Sequence, residues 1–405
     1  MDPIENPYTP NAGRRPAVLA GRETEESNFD LMVKRLARGL SARSMMIIGL
    51  RGVGKTVLLG RFVDIAESNR WLPVEAEFSD GMALGPLMAR HTRAALLKIS
   101  PRDRWLERGK KAAGVLRNFT LTVSPDGTAT VGLGSDLPDV PGFADSGALE
   151  SDLTDLLIAL GEAAREQGRG VVFLFDEVQF IQRHDLAALV VAFHKTIQKD
   201  LPISVVLAGL PLLPALVGEA KSYSERIFTK PEIGSLPHDA AVRALVGPAQ
   251  PHGVSYDPEA VERAITYTEG YPYFIQEIGS IVWDLASGPR ITLADVEGAI
   301  EPLEAKLDAS FFSIRTAKTT ELELAYLRAM AELPRGPKSS GDIATTLGYS
   351  GSQEIGTTRA KLISRGLIFT PGQGLADFTV PQFDLYLKRN FPFAPRKPRR
   401  RRVRS

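Results

Sequence analysis

Residues 44–56 read Ser-Met-Met-Ile-Ile-Gly-Leu-Arg-Gly-Val-Gly-Lys-Thr. Met45 to Ile48 form a short apolar run, and Gly49, Gly52 and Gly54 punctuate the residues that follow. From Thr56 onward Val57, Leu58, Leu59, Phe62, Val63 and Ile65 recur at helical spacing. The order is therefore strand, loop, helix. Within it Gly49, Leu50, Arg51, Gly52, Val53, Gly54, Lys55 and Thr56 fit the pattern G-x-x-x-x-G-K-[ST]. Glycines let consecutive N–H groups curl inward onto phosphate oxygens, and the helix adds the positive end of its dipole to the same place. Lys55 is expected to reach the β- and γ-phosphates of a nucleotide. Thr56 is expected to place its hydroxyl on Mg²⁺, a hard cation that prefers oxygen ligands. ATP and Mg²⁺ are thus the expected cofactors.

Downstream, Val171-Val172-Phe173-Leu174-Phe175-Asp176-Glu177 is an apolar strand that delivers two carboxylates at its end. In a parallel sheet the carboxyl ends of strands line the ligand crevice. Asp176 is expected to help hold the metal, and Glu177 to orient or deprotonate an attacking water. Further strands are expected at Leu72–Phe78, Ile203–Ala208 and Phe228–Ile233, with helices at about 25–40, 84–99, 149–167 and 187–199. Strands that are continuously apolar, separated by helices, indicate a mostly parallel sheet covered on both faces. Thr120–Val123 and Thr128–Leu133 flank Ser124-Pro125-Asp126-Gly127, a hairpin signal inside an expected insertion at 101–150.

The fold expected is an α/β P-loop NTPase sheet with helices on both faces, then a helical lid and a winged-helix domain. Its expected divisions are an N-terminal arm and helix at 1–42, a core at 43–235, the lid at 236–315, the winged helix at 316–390 and a disordered basic tail at 391–405.

Composition narrows the chemistry. The 405 residues are 43% hydrophobic and 24% charged, which suits a folded globular chain. There is no cysteine, so disulfides, thiolate nucleophiles and cysteine-held zinc are excluded, and a cytoplasmic location is expected. The five histidines His91, His184, His194, His238 and His252 never sit three to five residues apart, which removes a helical metal pair. The N-terminus lacks the basic and apolar segments of a secretion signal. The uncharged stretch 201–218 is broken by Pro202, Pro211 and Pro214, so a buried strand followed by a turn fits it and no membrane association is expected. The net charge is +1, yet seven of the last ten residues are basic, so the rest of the chain is net negative. That tail suits phosphates or acidic surfaces.

Together these motifs resemble the AAA+ ATPases, and more narrowly the branch of origin-recognition-type and archaeal-type ATPases that end in a winged helix. The resemblance runs from about Gly21 to Asn390. It implies that Gly21 and Arg22, before the first helix, border the adenine pocket. It also implies that Arg226, in Ser224-Glu225-Arg226-Ile227-Phe228, is an arginine finger reaching a neighbouring subunit's nucleotide. Pro272, in Gly270-Tyr271-Pro272-Tyr273-Phe274, would lie near the nucleotide's base and sugar, or would simply open a helix.

Two departures from the family stand out. The strand 203–208 runs into Gly209 and Leu210, where a polar sensor is usual, and the lid shows no obvious second-sensor arginine. Both point to slow hydrolysis serving a conformational switch and ATP-linked self-association.

In residues 317–390, three helical patterns precede a turn-linked strand pair around Pro371-Gly372-Gln373-Gly374, the order of a winged helix. Its third helix would offer Gln353, Thr357, Thr358, Lys361 and Arg365 to duplex DNA, aided by Arg399, Arg400, Arg401 and Arg402 of the tail. Asp377 in the hairpin would repel phosphate. The other reading is a nucleotide-dependent signalling scaffold whose winged helix docks protein and which hydrolyses ATP little or not at all.

Overall fold

The computed structural model describes residues 1–11, 13–99, 107–123, 140–221 and 224–393. They fall into two compact units. One is built from Arg22–Gly49 and Lys55–Ile233, the other from Met1–Gly21, Leu50–Gly54 and the chain from Gly234 onward.

The first unit opens with helix α1 (Glu23–Ala37), strand β1 (Ser44–Gly49), helix α2 (Lys55–Ser68) and strand β2 (Trp71–Glu77). Helices α3 (Leu84–Ile99), α4 (Glu107–Val123) and α5 (Leu149–Glu166) precede strand β3 (Gly170–Asp176). Helix α6 (Arg183–Gln198), strand β4 (Ile203–Gly209), helices α7 (Leu213–Ala220) and α8 (Ser224–Ile227), and the short strands β5 (Phe228–Thr229) and β6 (Glu232–Ile233) complete it. The sheet runs β2-β3-β4-β1, with β5 and β6 both pairing β1, and every pairing is parallel. All seven residues of β3 and all seven of β4 are buried, in keeping with sequences that are apolar without alternation except at Asp176 and Ser204.

Alternate residues of the central strands serve the two faces. Val171, Phe173, Phe175, Val205 and Leu207 join one core cluster with α3, α4, α5 and α6. On the other face Ser204 reaches Met32 of α1, and Phe29 of α1 stacks on Phe62 of α2 with ring centroids 4.2 Å apart. α1 buries Phe29, Met32, Val33 and Leu36 on its inner face, while Leu31 is 56% exposed.

In this unit two sequence expectations change. Thr120–Val123 is the last turn of α4 and not a strand, because α4 buries Ala112, Ala113, Val115, Leu116 and Phe119 along one face and carries the threonines with it. Thr120 and Thr122 hydroxyls donate to the carbonyls four residues back, at 2.7 and 3.1 Å, so β-branched residues are accommodated in the helix. The other arm, Thr128–Leu133, and its turn lie outside the described residues. The expected last strand is two short ones, since Pro231 between them has no N–H to give the ladder; its carbonyl instead accepts from the Ile48 N–H at 3.0 Å.

The second unit begins with the N-terminal residues: the Tyr8 hydroxyl donates to the Leu245 carbonyl at 2.6 Å, and the Thr9 N–H to Gln276 Oε1. Helices α9 (His238–Val246), α10 (Pro258–Thr268), α11 (Pro272–Leu285) and α12 (Leu293–Lys306) follow, with a two-stranded pair β7 (Ser255–Tyr256) and β8 (Arg290–Ile291). A π-helical stretch, Leu307–Phe312, continues α12 into α13 (Ser313–Thr316).

Then come α14 (Glu321–Glu332), strand β9 (Lys338–Ser339), α15 (Ser340–Thr346), α16 (Gly356–Ser364), strands β10 (Ile368–Phe369) and β11 (Leu375–Phe378), and α17 (Phe383–Asn390). β10, β11 and β9 form an antiparallel three-stranded sheet. Capping boxes start α12 at Thr292 and α14 at Thr320, each reciprocated by the acid three residues on. The expected third helix does not hold all its candidate residues: Ser352–Ile355, which contains Gln353, is a 3-10 turn, and α16 begins at Gly356 without a side-chain cap.

Candidate nucleotide site

Lys55 is the first residue of α2 and is buried, yet its ammonium finds a partner in the Gly49 carbonyl at 3.0 Å. One residue on, Thr56 Oγ1 donates to Asp176 Oδ2 at 2.5 Å. The start of α2 and the end of β3 thus bring a hydroxyl and a carboxylate together from 120 positions apart in sequence. Both are hard oxygen donors of the kind Mg²⁺ takes, one or two from protein and the rest from phosphate and water. Among the described residues no cluster of three His, Asp or Glu side chains offers an alternative metal site.

Glu177 follows in a left-handed conformation, φ 52° and ψ 36°, unusual for a non-glycine residue. Its N–H donates to Asp176 Oδ1 at 2.8 Å, and its carboxylate accepts from the amide of Gln179. The strained backbone stands at the end of an apolar strand, next to a metal-competent carboxylate.

The loop ahead of Lys55 carries positive φ at Gly52 (80°) and Gly54 (92°). At Gly52 space matters as much as φ: a Cβ there would stand 3.1 Å from Tyr271 Cε1 and 3.3 Å from Tyr273 Cβ. These tyrosines flank Pro272, the first residue of α11. The expected proline segment therefore lies against the phosphate loop, with Pro272 also opening its helix. Burial raises the pKa of the Tyr271 hydroxyl, which has no hydrogen-bond partner among the described residues.

Arg315 escaped the sequence reading. It lies over the Phe311 ring at 3.7 Å, and burial first, then repulsion from Arg51 of the loop, lowers its pKa to about 10. Only the fold could reveal it, since 264 positions separate the two arginines.

The remaining expected residues are more dispersed. Gly21 has φ 70° and packs against Ala240 and Leu236. Arg22 is buried, and that burial lowers its pKa while Glu25 and Glu23 partly offset the shift. Arg226 is exposed on α8 and borders an open cavity of about 310 Å³ with Arg43 and His194; no phosphate-loop residue lines it.

In the C-terminal part Gln353, Thr357 and Lys361 are exposed, whereas Thr358 is buried and Arg365 is engaged by Glu323 at 2.7 Å. Thr358 belongs to the core, and the Arg365 guanidinium is paired with a carboxylate. Asp377 is countered by Lys338 at 3.3 Å, which reduces the repulsion expected of it. Arg399, Arg400, Arg401 and Arg402 lie outside the described residues.

Residues 18–206 match the family model described as an AAA ATPase domain. This segment is an AAA ATPase domain. Residues 309–387 match a second model, described only as a domain of unknown function (DUF8462). No curated protein matches the chain. Among solved structures, the ORC2 protein of Aeropyrum pernix in ADPNP-ADP complexes is similar at 17% identity and a TM-score of 0.58, over 94% of this chain and 96% of that one. The Walker-type ATPase Paby2304 of Pyrococcus abyssi is similar at 12% identity and a TM-score of 0.53, over 92% and 97%. Identities this low speak to fold alone, and the likeness of fold extends over nearly the whole length. Outside the AAA ATPase domain as within it, no described helix is long and apolar enough to cross a membrane.

Proposed function

We infer that the protein binds ATP with Mg²⁺, hydrolyses it slowly, and uses the bound nucleotide as a switch for self-association. The observation that carries this reading is the 2.5 Å contact of Thr56 with Asp176 beside the strained Glu177. The phosphate-loop backbone and Lys55 would receive the phosphates, and Gly21, Arg22 and Pro272 would border the base and sugar. Thr56 and Asp176 would hold the metal, which neutralises charge on the phosphates. Glu177 would orient a water so that its oxygen attacks the γ-phosphorus; the bond to the bridging oxygen breaks, leaving ADP and phosphate. Arg51 and Arg315, two like charges that repel each other, would be relieved by an anion at the loop.

The test is a titration paired with a rate. Lys55→Ala should abolish ATP binding; undiminished affinity would overturn the site. Glu177→Gln should retain binding and lose turnover by about 100-fold or more. Equal turnover in the two proteins would remove Glu177 from the chemistry.

Three helices (α14, α15, α16) with the β9, β10 and β11 sheet support a winged-helix reading of the C-terminal part. We assign it, with the basic tail, to duplex DNA through Gln353, Thr357 and Lys361. The engagement of Thr358 and Arg365 favours the second reading, a module that docks protein and hydrolyses little ATP. Filter binding to duplex DNA at several salt concentrations, with Lys361→Ala and with residues 394–405 removed, separates them. Binding that needs neither feature sinks the DNA assignment.

A further inference from the structure

β4 ends at Gly209, followed by Leu210, so no side chain there carries a polar group. A polar group nevertheless arrives from elsewhere. The Leu210 N–H donates to Gln179 Oε1 at 3.2 Å, and the other end of the same amide, Nε2, donates to Glu177 Oε2. The two bonds fix the amide's orientation. Reversed, its NH₂ would face an N–H and its carbonyl would face a carboxylate, exchanging two attractions for two repulsions. Gln179 sits in the single 3-10 turn Val178–Phe180 that Glu177 initiates, so the bridge joins the end of β3 to the end of β4.

A glycine makes room for it. A Cβ at Gly209 would stand 2.8 Å from Gln179 Oε1 and 3.0 Å from Leu213 Cδ2. The Gly209 backbone is not left-handed, so the requirement is for space and not for conformational freedom. What reads in sequence as a missing polar residue is, in the fold, the seat of an amide supplied by another strand's turn.

We propose that Gln179 is a positioning residue that holds the Glu177 carboxylate at a fixed place relative to the end of β4, with Gly209 as the space it needs. The proposal rests on the reading of Glu177 as the group that orients the attacking water. A carboxylate tethered at one oxygen keeps a definite direction for the other. A misplacement on the order of 1 Å costs about 100-fold in rate in well-built sites, so loss of the tether is expected to be visible.

Steady-state and single-turnover ATP hydrolysis by the full chain with Mg²⁺ tests this. Gln179→Leu keeps the volume and removes both bonds. Gln179→Glu keeps an acceptor for the Leu210 N–H and sets a second negative charge against Glu177. Gly209→Ala displaces the amide without touching it chemically. Each should lower kcat by about tenfold or more, with Gln179→Glu the worst, while KM and equilibrium ATP affinity stay within about twofold. The thermal midpoint should hold in both Gln179 variants, which distinguishes positioning from folding.

In a Glu177→Gln background, Gln179→Leu should slow the residual rate no further, because the group it positions is gone. Additive losses there, or a Gln179→Leu kcat within about twofold of wild type while Glu177→Gln is inactive, would overturn the assignment of Gln179 alone. Wild-type turnover that is absent or independent of Glu177 would overturn the hydrolytic reading, and this proposal with it.

Discussion

At Gly52 two independent demands meet on one residue. Its φ of 80° lies in the left-handed region, and Tyr271 and Tyr273 close off the space that a side chain would occupy. Gly52→Ala therefore meets a backbone penalty of about 1 kcal/mol and a contact with an aromatic ring held in place by burial. The expected outcome is at least about tenfold weaker ATP binding by calorimetry, since in the proposed site the same residue's N–H would belong to the phosphate cradle. An unchanged affinity would mean that the tyrosine segment yields freely. The pattern of glycines announced the loop in sequence, because its chemistry is backbone chemistry and the spacing is covalent. Tyr271, Arg315 and Gln179 were not legible: their relation to the loop or to Glu177 is made by packing, and no local pattern encodes it.

The elements were read best where burial and periodicity agree. Helix α3 was placed at both ends, and β1, β2, β3 and β4 to within a residue or two, since each is either continuously apolar or strictly amphipathic. Where local propensity and tertiary demand disagree, the sequence misleads: Thr120–Val123 has strand-forming residues but finishes a helix whose alanines and Phe119 are already buried. Helix α2 shows how element and site depend on each other. It presents Lys55 and Thr56 at its start and inserts Phe62, fully buried and stacked on Phe29, below them. Phe62→Ala should destabilise the chain by about 3–5 kcal/mol, read as a lower denaturant midpoint at unchanged slope. Excess ATP with Mg²⁺ should recover part of that loss by mass action, whereas in a Phe62→Ala/Lys55→Ala double variant it should recover none.

On the scale of the whole molecule, Arg226 is the residue expected to act between copies. It is exposed on a four-residue helix, and neither a hydrogen bond nor an ion pair engages it among the described residues. As an arginine finger, Arg226 would act on phosphate presented by another copy. The consequence is specific to mixtures. Arg226→Ala and Lys55→Ala should each lack turnover alone, the first for want of a cation in trans and the second for want of bound ATP. Combined at equal amounts, about a quarter of randomly formed interfaces would pair an intact phosphate loop with an intact Arg226, so activity should return towards that fraction. The recovery should rise with protein concentration and vanish on dilution below the assembly range. Mixtures that remain as inactive as their components at every concentration would place Arg226 outside the reaction and leave it a surface residue of α8.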